Sequence, residues 1–246
     1  MSDTGFLNVE GLCKRYSPGL PYAVSDISFS CGQGQIVAIL GENGAGKSTT
    51  IKAVTGIHPF EKGKVTVCGY DIKTQPVQAK KCFGYVPDNH AVFEKMTGTD
   101  YVNFMADVYG VDEDTRKKRI GEFQDILKLG DKIDNIISSY SHGMKQKISI
   151  MGALIHNPKL LILDEPMVGL DAQTAFAVKQ YMLYHKEKGN TVVFSSHNLD
   201  TVEKICDYCI IISGGRKKDA FSMEEFKEKH SCSLEEYFLG IISEQK

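Results

Sequence analysis

The apolar run Ile36–Leu40 (IVAIL) leads without a break into GENGAGKST, residues 41–49, and then into the helix-forming stretch KSTTIKAVTG. Five consecutive apolar residues fit a strand covered on both faces. The nine residues after it match GxxxxGK[ST] in the strand-to-helix context that the motif requires. Gly41, Gly44 and Gly46 open backbone geometries closed to other residues, so successive N–H groups can turn inward on phosphate oxygens. A helix starting near Lys47 adds its positive dipole end. Lys47 is expected to reach the β- and γ-phosphates and Ser48 to ligate Mg²⁺, with Asn43 and Thr49 completing the nucleotide-binding segment. Any fold of this chain has to accommodate a phosphate-cradling loop between a buried strand and a helix.

The rest of the chain is organised around that unit. Alternating segments FLNV, ISFS and KVTV, punctuated by Gly and Pro, predict antiparallel strands in the first part. The helix after the loop should stop at Gly56. Later residues predict strand Leu160–Leu163, a helix over 172–188, a strand over 191–195, a short helix reaching Cys206 and strand Tyr208–Ser213. Such alternation implies a parallel sheet covered by helices. From Met96 to about Asn157 the period is helical, in YVNFMADVYG, KKRIGEFQDILKLG and MKQKISIMGALIHN, with no strand between. The expected division is residues 1–86 as the antiparallel β part with the phosphate loop and 87–158 as an inserted helical subdomain. Residues 159–220 then return to the core, and 221–246 form an amphipathic helical tail.

Three further segments carry chemistry. LLIL followed by Asp164-Glu165-Pro166 delivers two carboxylates to the C-terminal end of a buried strand, where open α/β sheets bind ligands. Alone, such a pair fits a solvated strand end equally well. After a phosphate loop in the same chain, Asp164 reads as a Mg²⁺ carboxylate and Glu165 as the base that polarises the attacking water. Thr191-Val-Val-Phe-Ser-Ser-His197 ends at the same edge, so His197 is predicted to contact a γ-phosphate. Cys206-Asp-Tyr-Cys209 is formally a CxxC pair. With no second pair and no histidine cluster nearby, it reads as two cysteines at a helix-to-strand junction.

Taken together, these residues resemble the nucleotide-binding subunits of ATP-binding cassette (ABC) transporters, in the branch of bacterial exporters, over essentially the whole chain. The resemblance implies an α/β fold: a P-loop NTPase (RecA-like) core, an N-terminal antiparallel β subdomain and an inserted α-helical subdomain. It implies ATP and Mg²⁺ as cofactors, and hydrolysis coupled to transport. Tyr16 in GLCKRYSPG looks like the aromatic that stacks on adenine. Ser141-His-Gly-Met-Lys-Gln occupies the place of the LSGGQ signature, so Ser141 and Gly143 are expected to act in trans on the nucleotide of a second ATPase subunit. Gly169-Leu170-Asp171 looks like the D-loop. Gly84-Tyr-Val-Pro-Asp88 sits where the family has its Q-loop. In the signature itself, Ser141 can cap a helix while offering its hydroxyl, and Gly143 leaves backbone N–H groups accessible.

Two departures stand out. His142 and Met144 replace a glycine and a glutamine of the signature. Asp88 replaces the usual Q-loop glutamine; being shorter and anionic, it either ligates Mg²⁺ directly or weakens the link to the membrane domain. The partners implied are a second cassette, identical or different, and integral membrane subunits docking near residues 87–106. The implied location is the cytoplasmic face of the membrane.

Bulk properties exclude other classes. A chain of 246 residues, 42% hydrophobic and 24% charged, can bury a full core. A formal net charge of −2 gives no electrostatic case for nucleic acid. Seven irregularly spaced cysteines do not describe a disulfide framework and suit a reducing compartment. No apolar run approaches the roughly 20 residues that span a bilayer, and MSDTGFLNVE lacks a signal pattern. A soluble cassette acting on ribosomes or DNA is the alternative, but a single phosphate loop, no long coiled coil and neutral charge speak against it. A GTPase would need an NKxD motif, which is absent.

Overall fold

A computed structural model describes residues 6–89 and 93–243. Two sheets and the helices packed around them make up the described residues. Strands β1 (Leu7–Lys14) and β2 (Val24–Cys31) pair antiparallel, and β3 (Ile36–Leu40) runs into helix α1 (Lys47–Val54). Strands β4 (Lys62–Val67) and β5 (Tyr70–Asp71) complete a four-stranded antiparallel sheet of order β2-β1-β4-β5. Helix α2 (Pro76–Lys81) precedes β6 (Phe83–Val86). Three helices follow: α3 (Gly98–Val108), α4 (Glu113–Leu127) and α5 (His142–Leu154). The chain then alternates through β7 (Leu160–Leu163), α6 (Ala172–Glu187), β8 (Thr191–Ser196), α7 (Leu199–Ile205) and β9 (Tyr208–Ser213). It ends in β10 (Arg216–Ser222), α8 (Met223–Lys229) and α9 (Leu234–Ser243).

The second sheet has the order β10-β9-β3-β8-β7-β6, parallel except for β10. Strand β3 lies between β8 and β9, which is why all five of its residues are buried. Because side chains alternate across a strand, the run divides between two cores. Ile36, Ala38 and Leu40 pack with Tyr101, Val102, Ile148 and Met151 of the helical layer. Val37 and Ile39 face Leu7, Val9, Ile27 and Val65 of the antiparallel sheet, together with Ile51 of α1. The central sheet is therefore sandwiched, with the antiparallel sheet and α1 on one face and helices on the other.

Strand β10 and helix α6 depart from the sequence expectation, which also did not foresee α2 and β6. Strand β10 extends to Ser222, two residues into the segment expected to be helical tail, because RKKDAFS pairs as a polar edge strand on β9. Helix α6 ends at Glu187, with Lys188 as its cap. No helix among the described residues is long and apolar enough to cross a membrane.

Candidate active site

Seven helices among the described residues begin with a side-chain cap: Thr97, Asp112, Ser141, Asp171, Asn198, Ser222 and Ser233 each accept a first-turn N–H. Helix α1 has no such cap. Its N-cap position is Gly46, in the left-handed region at φ 106°, which only glycine adopts without strain. The first-turn N–H groups of α1 are thus left for an external acceptor, and the dipole favours an anionic one.

Around that helix start lies a cleft of about 490 Å³, lined by Tyr16, Asn43, Gly44, Gly46, Lys47, Ser48, Thr49, Asp88 and Glu165, with Ala23 and Glu42. Tyr16 is 58% exposed; its hydroxyl shares a 2.8 Å hydrogen bond with Thr49 Oγ1, and Lys14 Nζ lies over its ring at 5.7 Å. Gly41 contributes through its carbonyl instead of by lining the cleft. Lys47 Nζ donates to Gly41 O at 2.8 Å and to Glu42 O at 3.1 Å, and pairs with Glu165 Oε1 at 3.1 Å. The lysine is almost fully buried, so every one of these acceptors offsets desolvation of its charge.

The carboxylates arrive from β7. Asp164 is 1% exposed, and its Oδ1 accepts from Ser48 Oγ at 2.9 Å and Ser195 Oγ at 2.6 Å. Its Oδ2 is buried with no hydrogen-bond partner among the described residues. Burial raises the Asp164 pKa above the ordinary carboxylate value; the two hydroxyls oppose this and the charge of Asp88 adds to it. An orphaned anionic oxygen beside a serine hydroxyl is the donor set that a hard divalent cation takes, so these residues fit Mg²⁺. Glu165 sits at φ 48°, a left-handed conformation costly for a non-glycine residue. Its N–H donates to Ser195 Oγ at 2.8 Å, and its Oε2 lies 3.0 Å from His197 Nδ1. One carboxylate therefore sits between a buried lysine and a half-exposed histidine.

Ser195 is the residue that the sequence reading missed. Its hydroxyl donates to Asp164 and accepts from Glu165, joining the two acids. The signal was a polar residue ending an apolar strand, in TVVFSSH, but its partners lie 30 and 31 residues away.

Asp88 lines the cleft half-exposed, 3.7 Å from Lys52 Nζ. Ser141, Gly143 and Asp171 do not line it among the described residues; they lie at the starts of α5 and α6. Ser141 caps α5, accepting from Met144 N at 3.3 Å, so its own proton stays free to donate. Gly143 is buried, and a Cβ there would stand 2.9 Å from Thr174 Oγ1; its missing side chain serves close packing against α6. Asp171 caps α6, accepting from Thr174 N at 2.9 Å and Thr174 Oγ1 at 2.8 Å, which holds its carboxyl below the usual range. His142 Nε2 bonds Val168 O at 3.0 Å, and Gln146 Nε2 donates to Pro166 O at 3.2 Å, tying α5 to the loop after Glu165. The segment 87–106 includes residues 90–92, which lie outside the described residues. Cys206 and Cys209 are buried free thiols, and burial pushes Cys209 up to about 12, in keeping with a purely structural pair.

Comparison with known proteins gives one answer. A family model described as ABC transporter matches residues 24–168. The linearmycin resistance ATP-binding protein LnrL of Bacillus subtilis (strain 168) is 38% identical over 209 residues, 85% of this chain and 67% of that one. The ABC-type transporter ATP-binding protein EcsA of the same organism is 31% identical over 224 residues, 90% of this chain and 91% of that one. A solved ATP-binding subunit of an ABC transporter superposes with a TM-score of 0.90 at 30% identity, covering 96% of this chain and 99% of the other.

Proposed function

This chain belongs to the ABC transporter family as an ATP-binding, ATP-hydrolysing subunit, and on that premise we propose that it drives export by closing against a second cassette over ATP held in the Tyr16–Glu165 cleft. The observation that carries this reading is Glu165. It sits at the strand end beside Asp164, 3.1 Å from Lys47 and 3.0 Å from His197.

In this reading the exposed Tyr16 ring stacks on adenine, and residues 43–49 cradle the phosphates with backbone N–H groups. Lys47 exchanges its present acceptors for phosphate oxygens. Bound Mg²⁺, held by Ser48 and Asp164 with Asp88 close by, would neutralise charge on the phosphates. Glu165, released from the lysine, takes a proton from the attacking water. His197 orients Glu165 and faces the terminal phosphate. Among the described residues that line the cleft none comes from α5, so Ser141, with a hydroxyl proton not used in its cap at a helix start, is suited to a phosphate bound to another subunit. Asp171 and the loop before it bring the start of α6 to the same interface.

Membrane subunits would dock on the helical side. There Phe93, Phe104 and Val108 are exposed, and the Phe93 ring lies 5.4 Å from Phe104 and 6.4 Å from Tyr101, an apolar patch suited to a protein partner. Export is favoured over import by the likeness of residues 88–110 to exporter cassettes and by the relative named for linearmycin resistance. Such docking would place the protein at the cytoplasmic face of the membrane.

The test is Glu165→Gln. It should bind ATP and form a stable dimer on size-exclusion chromatography, with turnover lowered by about 10²- to 10⁴-fold, the usual worth of a general base. Wild-type turnover would remove Glu165 from that role, and a monomer at saturating ATP would remove the closure mechanism.

A further inference from the structure

A second cavity, of about 470 Å³, opens at the other end of the central sheet. It lies at the seam between the helical layer and the core, bounded by α4, the end of α5, α6 and the segments entering β7 and β8. Lys159 immediately precedes β7 and Asn190 precedes β8, whereas Asp164 and Ser195 stand at or near the far ends of the same strands. At about 3.3 Å per residue, the four residues of β7 alone separate the two sites by roughly 13 Å.

The lining is strongly basic. Lys118 and Arg119 enter from α4, and Lys159 and Lys188 from the core, against the one carboxylate, Glu122, among the described lining residues. None of these cations is in an ion pair among the described residues. Lys188 rests over the Tyr184 ring, and Arg119 spends one donor on Ile155 O at 2.6 Å, leaving the rest of its fork. Charges are normally dispersed or paired, and four converging on one concavity set up a positive field that a solvated helix face would not need. His185 lines the same cavity although only 3% exposed, and its Nε2 is buried without a hydrogen-bond partner among the described residues. Its ring stacks near Tyr181 at 6.1 Å, and burial with Lys159 nearby keeps it uncharged at neutral pH.

From this arrangement we propose that the seam cavity is a binding site for a small polyphosphorylated anion, distinct from the nucleotide cleft. Lys118, Arg119, Lys159 and Lys188 supply charge-assisted hydrogen bonds to its phosphates. Tyr181 and Tyr184 provide the walls, and the volume suits a molecule of nucleotide size. Because the lysines come from both sides of the seam, an occupant fastens α4 to the strands that carry Asp164 and Ser195.

Inorganic tripolyphosphate is the probe, titrated calorimetrically into the full-length Lys47→Ala chain, where the nucleotide cleft is disabled. Saturable 1:1 binding is expected to remain. Adding Lys118→Gln with Lys159→Gln should weaken it at least tenfold, and Glu122→Gln, which removes the opposing charge, should tighten it about twofold or more. In chains retaining Lys47, the paired lysine substitutions should leave basal ATPase unchanged. Absence of binding to Lys47→Ala, or affinity indifferent to both the lysine pair and Glu122, overturns the proposal. Thermal melts matching the parent establish that a loss is not unfolding.

Discussion

Replacing Ser195 with alanine removes a single oxygen that has two jobs. It donates at 2.6 Å to Asp164, whose other oxygen is already unpartnered, and accepts at 2.8 Å from the backbone of Glu165. A hydrogen bond to a charged group contributes about 1.5–3 kcal/mol, and a buried N–H left without an acceptor costs about 1–3 kcal/mol. The two overlap, so a loss of about 3 kcal/mol in folding stability is expected. With a urea slope near 3 kcal/mol/M for a chain of this size, the midpoint should fall by about 1 M. The catalytic effect has a separate origin. Glu165 holds a left-handed conformation at φ 48°, a geometry that costs about 1–3 kcal/mol and persists only when its surroundings impose it. Without the Ser195 acceptor that restraint is gone, and about 2 kcal/mol of lost orientation in the transition state is roughly a 30-fold fall in kcat. KM for ATP should hold, since Ser195 does not line the cleft. The Asp164 carboxyl, deprived of a donor that lowers its pKa, should titrate higher, moving the acid limb of the rate profile upward in pH. Urea unfolding and steady-state ATPase measure both effects. A variant with kcat within threefold of wild type and an unmoved midpoint refutes the reasoning.

Three further outcomes are expected. His156 and His185 are both pushed by burial from 6.5 to about 4, so the stability they contribute is complete above pH 6.5 and drains as the pH falls toward 4. Each should cost about 2 kcal/mol at pH 5 relative to pH 7, and His156→Gln with His185→Gln should flatten the pH dependence of urea unfolding; an unchanged slope would assign acid lability elsewhere. Gly143→Ala should destabilise by about 1–3 kcal/mol through its clash with Thr174, and Thr174→Ala should recover part of that in a double-mutant cycle; strict additivity would separate the two residues. Asp88→Gln should leave ATP affinity intact and shift the Mg²⁺ midpoint of turnover by at least twofold, because its charge acts on Asp164; superimposable Mg²⁺ titrations would deny it that influence.

What could be read from the residues in order was whatever local spacing encodes. Strand β3, the glycine loop and α1 are contiguous, so the sequence displays the unit whole. Asp164-Glu165 became legible from its place after an apolar strand together with the phosphate loop upstream, and Ser141 from its likeness to the signature ahead of a helix. Ser195 did not show itself, because its meaning lies in partners brought together by parallel pairing of β7 with β8. Gly143 was read as exposing backbone; that its missing Cβ also lets Thr174 approach, 31 positions along the chain, shows only once α5 packs on α6. The short strand FGYV of β6 and the polar edge strand β10 carry too little alternation to announce themselves, and only pairing with β7 and β9 defines them. The seam cavity was equally silent: Lys118 and Lys159 look like ordinary surface charge until α4 is laid against the sheet.

The contacts of Lys47 set the character of substrate entry. Its ammonium is already surrounded by two carbonyls and a carboxylate, so an arriving polyphosphate meets a cation whose bare-ion energy has been spent. Binding becomes a swap of one set of oxygens for another, with little net change in solvation, which favours fast turnover of the pocket over extreme affinity. The outgoing oxygen belongs to Glu165. On the proposed mechanism, phosphate contact at Lys47 and the release of the Glu165 side chain are then one event.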